Sequence, residues 1–331
     1  MTASDATNNC SYSLLQLEGF EPDALIEVIQ NGCFQHRLLR GGWFRARHRR
    51  QQFGTSIFDW GHYNLPVIVQ GAFPANCLTL GAILQSPVPG YINGQPVPAA
   101  SVQVYTEGLE LYYRTPLDVI WTALQIDREQ VQTAAMTRLG QPLPIPARGW
   151  LNVQPAAQDS ARLVATINDA LAMASQVSAG PLAAVYMAAV HERLLAASVD
   201  AIASGLRLDD RRHERRAPRR MALMRRAQDY LAAHLDQPFS VQTLAQETGL
   251  SERMLQYLFR EVYGVSPLGW IQAMRLNEVR RDLRHLGPGP GRVAEVAMRW
   301  GFMHLGRFSV AYHKLFGERP SDTLRRNRNS H

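Results

Sequence analysis

Arg253, Gln256, Tyr257 and Arg260 are spaced so that an α-helix would carry them on one face. Arginine and glutamine carry forked polar groups that match the edges of guanine and adenine, and arginine also suits a phosphate. Further along the chain, Gly306, Ser309, Val310 and His313 share a second helical face, with Arg307 and Lys314 on its flank. This second surface is small and partly apolar. It can approach a duplex closely, with Val310 against a thymine methyl and Arg307 on a guanine or a phosphate. The chemistry implied is the reading of double-stranded DNA, with the first face supplying most direct readout and the second relying more on shape and backbone contacts.

The elements that must position these faces are written twice. One copy is LAQETGLSERMLQYLFREVYGVSP, from Leu244 to Pro267; the other is VAEVAMRWGFMHLGRFSVAYHKLFGERP, from Val293 to Pro320. Each has a short helix with an alanine (Ala245, Ala297), a turn glycine (Gly249, Gly301) and an apolar residue (Leu250, Phe302). A longer amphipathic helix follows, then a glycine (Gly264, Gly317) and a proline (Pro267, Pro320). Short helix, glycine turn and second helix make a helix-turn-helix, whose second helix can enter the major groove. Leu255, Leu258, Phe259 and Val262 form the core stripe of one second helix, and Phe308, Ala311, Tyr312 and Leu315 that of the other. Ser251 stands where an N-cap belongs. Between the copies, Ser266 to Leu286 has helical spacing in Trp270, Met274, Leu276, Val279 and Leu283, and the run Gly287-Pro288-Gly289-Pro290-Gly291 stops that helix. A rigid connection of this kind sets two reading helices about one DNA turn apart, roughly 34 Å, within one chain.

Charge follows the same division. Residues 207–331 hold 23 Lys+Arg against 13 Asp+Glu, a net of +10, whereas residues 1–206 hold 12 against 15, a net of −3. A basic C-terminal third on a slightly acidic remainder is the footprint of a nucleic-acid-binding module joined to something else. No apolar run approaches the roughly 20 residues that span a bilayer, and MTASDATNNCSYS has no signal-peptide pattern. Cys10, Cys33 and Cys77 lie far apart without metal-ligand spacing, as free thiols in a reducing cytoplasm would.

From about Phe44 to Pro155 the chain is rich in Val, Ile, Tyr and Trp with turn signals at Pro89-Gly90, Asn93-Gly94 and Gly140, which predicts short strands in a small β-barrel or sandwich. Two apolar-periodic helices follow, about 159–175 and 181–198, split by Ser178-Ala179-Gly180. Leu163, Ile167, Leu171 and Met173, with Val185, Val190, Leu194 and Leu195, would face each other in a hairpin that packs on the β domain or dimerises. Residues 206–220 are charged and read as a linker. For catalysis the candidates are thin. His36, His48, His62 and Asp59 contain no H-x-H pair, and there is neither a G-x-S-x-G elbow nor a P-loop, so no catalytic residue, metal or cofactor is assigned. Trp60, His62 and Tyr63 suit either a ligand pocket or barrel packing, and no ligand contact is assigned to them.

GVSP with Arg275-Leu276, and above all GFMHLGRFSVAYHKLFGERPSDTL at 301–324, carry a resemblance to the AraC/XylS family of bacterial transcription regulators, over about residues 220–327. The HLGRF block followed by FGERPSDTL is similar to the branch that includes XylS and ethanolamine-type regulators. The resemblance implies an α+β chain: residues 1–158 as a mainly-β, cupin-like sensor barrel, 159–205 as the hairpin, 206–220 as the linker and 221–331 as a seven-helix DNA-binding domain with two helix-turn-helix units. Carried over by position, it adds His304 to the reading set, which becomes Ser251, Arg253, Gln256, Tyr257, Arg260, His304, Gly306, Arg307, Val310 and Lys314. Many members carry Arg where this chain has Tyr257 and Val310. The implied partners are promoter DNA, RNA polymerase, a small-molecule effector and a second copy of the chain. The function expected is that of a cytoplasmic, effector-responsive activator. A metal-dependent barrel enzyme fused to a DNA-targeting module and a ligand-independent DNA-binding regulator are the alternatives.

Overall fold

The computed structural model describes residues 11–174, 181–209, 217–286, 289 and 291–326. Cys10, Ser178-Ala179-Gly180, residues 210–216 of the charged linker and three residues of the Gly-Pro run (Gly287, Pro288 and Pro290) lie outside them, as does the Met173 side chain.

The first half is built on two antiparallel sheets. Its elements are β1 (Tyr12–Glu18), β2 (Cys33–Leu38), β3 (Arg45–Phe53), β4 (Ser56–Tyr63), β5 (Val67–Ala72), β6 (Leu78–Gln85), β7 (Gly90–Ile92), β8 (Gln95–Val97), β9 (Val102–Tyr105), β10 (Glu110–Arg114), β11 (Val119–Ile126), α1 (Arg128–Leu139), β12 (Trp150–Val153), α2 (Ala157–Ala174) and α3 (Pro181–Asp209). One sheet runs β1-β3-β4-β11-β6-β9-β12 and the other β2-β5-β10-β7-β8. Asn93 and Gly94 both take positive φ, 48° and 80°, and so join β7 to β8 in the tight turn that this pair of residues favours. Phe34 and Leu38 of β2, Val67 and Val69 of β5 and Tyr113 of β10 are buried in one core with Tyr63, Ile83 and Trp121 of the larger sheet.

The strands form two separate sheets and do not close into the cupin-like barrel that the family resemblance implies; the strand pattern itself leaves barrel and sandwich both open. Each sheet keeps two edges, and the β2 edge is occupied by the C-terminal half of the chain instead of by another strand. The opposite face of the larger sheet is covered by helices: Leu80, Val104 and Leu124 share a second core with Leu163, Ile167, Leu194 and Ile202 of α2 and α3. Val185, assigned to that stripe by sequence, is 71 % exposed. Helix α1 was not foreseen among the strands; Asp127 caps its start by accepting from Glu129 N–H, and Gly140 ends it at φ 71°.

Seven helices make up the second half among the described residues: α4 (Ala217–Ala233), α5 (Val241–Thr248), α6 (Glu252–Tyr263), α7 (Pro267–His285), α8 (Arg292–Arg299), α9 (Leu305–Phe316) and α10 (Pro320–Arg326). Both core stripes read from sequence are buried, apart from the half-buried Ala311, and so are Trp270, Met274, Leu276, Val279 and Leu283 of α7. No helix among the described residues is long and apolar enough to cross a membrane.

The two halves share a core at a seam centred on α7. Asn277 accepts from Leu38 N–H and donates to Leu38 C=O, both at 2.9 Å, closing the free edge of β2. Arg280, with a side chain only 2 % exposed, donates to Phe20 C=O at 2.6 Å and pairs with Glu318. Arg37 pairs with Glu278 at 3.2 Å, and Arg284 with Glu21 and Asp23. Phe20 stacks on Phe316 with ring centroids 6.1 Å apart, and Tyr112 meets Tyr263 edge-on at 6.4 Å. A side chain at Gly41 would collide with the carbonyl of Lys314, so the 39–42 turn lies directly on the end of α9.

Candidate nucleic-acid interface

The repeated residues do the same work in both units. Gly249 and Gly301 take the left-handed conformation, φ 70° and 81°, which L side chains resist. The chain then turns back so that Leu250 N–H donates to Ala245 C=O at 3.1 Å, and Phe302 N–H to Ala297 C=O at 2.9 Å. That 6→1 bond is the closure that ends a helix on a left-handed residue. Alanine recurs because the turn folds back over that position, and the apolar residue after glycine packs on the core. The second helices then start differently. Ser251 caps α6, its Oγ accepting from Met254 N–H at 3.2 Å, whereas His304 makes no such side-chain bond at the start of α9.

The expected reading residues fall into two exposed groups. On α6, Arg253, Tyr257 and Arg260 are exposed and Gln256 is half-buried at the edge of the same face. On α9, Gly306, Arg307, Val310 and Lys314 are exposed, with His304 just before the first turn. Val310 on α9 is 70 % exposed and Met303, in the turn before that helix, 73 %, both large exposures for apolar side chains. A base edge or a thymine methyl is the kind of surface such residues suit. Ser251 stands apart in role from the others, since its hydroxyl is spent on the cap.

Arg275 and the GERPSDTL block, prominent in the sequence, serve the frame. Arg275 donates from Nε to Leu235 C=O at 2.7 Å, tying α7 to the end of α4, and burial lowers its pKa. Glu318 and Thr323 gather around Arg280, and Thr323 Oγ1 lies 2.8 Å from the Tyr312 hydroxyl. Burial pushes that phenol up to about 12, so it stays protonated within the knot. Asp322 accepts from Arg319 N–H at 3.1 Å where α10 begins. This network locks the back of α9 to α7 and α10.

The N-terminal residues weighed for metal chemistry are dispersed. His48 and Arg50 both hold Asp59, at 3.1 and 2.7 Å; His62 pairs with Asp118 at 2.8 Å; His36 Nε2 lies 3.1 Å from the Tyr63 hydroxyl. Among the described residues no group of three or more His, Cys, Asp or Glu could hold a metal ion. Trp60 lies beneath the Arg49 guanidinium, 5.2 Å from its ring centre, while Tyr63 faces the inner core.

The geometry of two helix-turn-helix units agrees with comparisons to known proteins. A family model described as a helix-turn-helix domain matches residues 244–326. The probable thc operon regulatory protein of Rhodococcus erythropolis is 31% identical over 232 residues, 64% of this chain and 62% of that protein. The XylDLEGF operon transcriptional activator of Pseudomonas putida is 35% identical over 100 residues, 30% of this chain and 31% of that one. The chain thus spans less than two thirds of the length of these curated relatives. Among solved structures, a probable AraC family transcriptional regulator from Rhodopseudomonas palustris is 32% identical, covering 32% of this chain and 97% of that one, with a TM-score of 0.30. The paired units and their turn chemistry are thus those of a helix-turn-helix domain over 244–326, and the chain is similar to proteins named as operon regulators.

Proposed function

We propose that the protein is a sequence-specific, effector-responsive transcription activator that binds promoter DNA through α6 and α9. One observation carries this reading. The exposed face of each unit lies on its second helix, opposite a stripe that is buried but for the half-buried Ala311, and the connecting α7 carries a buried stripe of its own and is held on both sides. Arg253, Gln256, Tyr257 and Arg260 read one major-groove segment. His304, Gly306, Arg307, Val310 and Lys314 read the next, with Ser251 shaping the start of the first reader.

The division of labour expected from the sequence is a β-rich sensor over 1–158, the helical pair over 159–205, a linker over 206–220 and the DNA-binding domain from 221; helix α3 runs on to Asp209 and α4 begins at Ala217, inside that linker. The sensor's inner core holds a cavity of about 50 Å³ bounded by Tyr63, Tyr105, Tyr113 and Trp121, where the buried Tyr113 hydroxyl has no hydrogen-bond partner among the described residues. That volume accommodates little more than water. An effector must part the sheets to enter, and its preference for the parted state supplies the coupling to DNA binding. Two relatives are named for operons, and the reading for this chain is likewise control of an operon, with RNA polymerase and a second copy of the chain as partners in the cytoplasm.

Genome-wide selection of DNA by the full-length chain, at stated salt, tests the reading. The expected result is an enriched site with two constrained blocks about one helical turn, roughly 34 Å, apart. Retention of all sequences alike, with and without a library of small metabolites, would overturn it.

A further inference from the structure

A cleft of about 950 Å³ runs between the 39–42 turn of the β domain, the start of α7 and the flank of α9. Gly306, Arg307, Val310 and Lys314 of the reading set line it, so the β domain borders the same open space that the second reader faces. Its charged lining is Arg40, Arg307 and Lys314, three cations without an acid. All three are exposed, and among the described residues none is held in an ion pair. On the opposite, framing side of the domain Arg281, Arg284, Arg299 and Arg325 are each matched by a carboxylate, whereas the cleft's three cations share their unpaired state with Arg253 and Arg260 of the first reading face. Unpaired cations of one sign on a concave surface focus a positive potential, and the ligand chemistry that fits is a row of anions.

The position of Arg40 specifies which anions. A reading helix puts the residues of its first turns on base edges, and the groove it enters is about 12 Å wide and walled by phosphates. The 39–42 turn is packed on the carbonyl of Lys314, near the C-terminal end of α9, and the seam at Leu38 and Asn277 anchors it there. Duplex docked on α9 therefore meets this turn at the groove wall, and Gly41 and Gly42 leave the approach free of side chains other than Arg40.

We propose that the β domain itself contacts the DNA, Arg40 taking a phosphate of the strand that flanks the groove entered by α9. The proposal rests on the reading of α9 as a groove reader. It makes the β domain part of the DNA grip, so that any shift of that domain at the seam alters affinity directly.

The test uses the full-length chain and its selected duplex, with the dissociation constant followed across a salt series. Loss of one phosphate contact lowers the slope of log K against log salt by about 0.9 and weakens binding about eightfold near 0.1 M salt, equally for selected and scrambled duplexes. Arg40→Gln should show this, and Arg47→Gln, an exposed arginine on β3 away from the cleft, should not. If Arg40→Gln binds as the parent does while Arg307→Gln loses affinity, the proposal falls and the reading of α9 stands. Tighter binding by Arg40→Gln also overturns it, since the turn would then shield α9. If Arg307→Gln and Lys314→Gln are likewise without effect, the reading of α9 fails as well.

Discussion

The side-chain amide of Asn277 pairs with both backbone groups of Leu38, accepting from its N–H and donating to its carbonyl at 2.9 Å each. A helical residue thus stands in for the neighbouring strand that β2 lacks, and its Nδ2 also donates to Ala273 C=O at 2.7 Å. Asn277→Ala leaves a buried donor and a buried acceptor of Leu38 without partners. Each unmet group costs about 1–3 kcal/mol, so urea unfolding should show a loss of about 2–6 kcal/mol. A loss below about 0.5 kcal/mol would mean that the seam is dispensable to the fold.

Arg280 and Glu318 form the charged centre of the same seam, with Phe20 C=O and Thr323 as further partners. Arg280→Ala leaves the buried Glu318 carboxylate with only the exposed Arg326 as its cation and strands Phe20 C=O, and should cost about 3–5 kcal/mol. Removing both charges, as Arg280→Met with Glu318→Gln, should cost clearly less than the two single changes added together. Strict additivity in that double-mutant cycle would show that the two residues act independently.

The DNA-binding half was legible because its signals are local. Glycine at the turns, alanine four positions earlier and a 3.6-residue apolar stripe each depend on near neighbours, and the buried stripes of α6 and α9 match what Leu255, Leu258, Phe308 and Tyr312 announce. Helix α1 was missed because it buries only Val131 and Ala135, too little to make a stripe. Barrel and sandwich stayed undecided in the sequence because closure depends on what reaches β2, and Asn277 arrives from 239 positions away. Arg40 carries no motif at all; only the seam brings it beside Lys314. Val185 shows the converse error, an apolar residue counted into a stripe that the packing leaves exposed.

His36 predicts an acid-side loss of stability. Burial between the sheets lowers its pKa to about 3, against a smaller opposing effect of the Phe34 backbone. The unfolded chain, with an ordinary imidazole near 6.5, binds a proton between those values that the folded chain refuses. Stability is therefore complete above about pH 6.5 and declines as pH falls toward 3, by up to about 1.4 kcal/mol per pH unit from this residue. His36→Gln preserves a partner for the Tyr63 hydroxyl and removes the titration. Its unfolding free energy should vary less between pH 6 and 4 than that of the parent; equal slopes would show that His36 does not contribute.

The two readers should fail differently. Arg253 is exposed near the start of α6 and has the fork to hold a guanine edge, so Arg253→Ala should cost about 1–3 kcal/mol of binding and relax selection at one base position. Val310→Ser, on the apolar part of α9, should weaken preference for one thymine while leaving the salt slope unchanged, because no charge is lost. Leu258→Pro attacks the frame: Leu258 is buried in the α6 stripe, and proline there breaks the helix at a cost of about 3 kcal/mol or more. Binding titrations with systematically substituted duplexes separate the three, since only the first two should move single positions in the site. Equal constraint in both blocks of the parent's footprint would show that α6 is not the dominant reader, and unchanged binding by Leu258→Pro would remove α6 from the interface altogether.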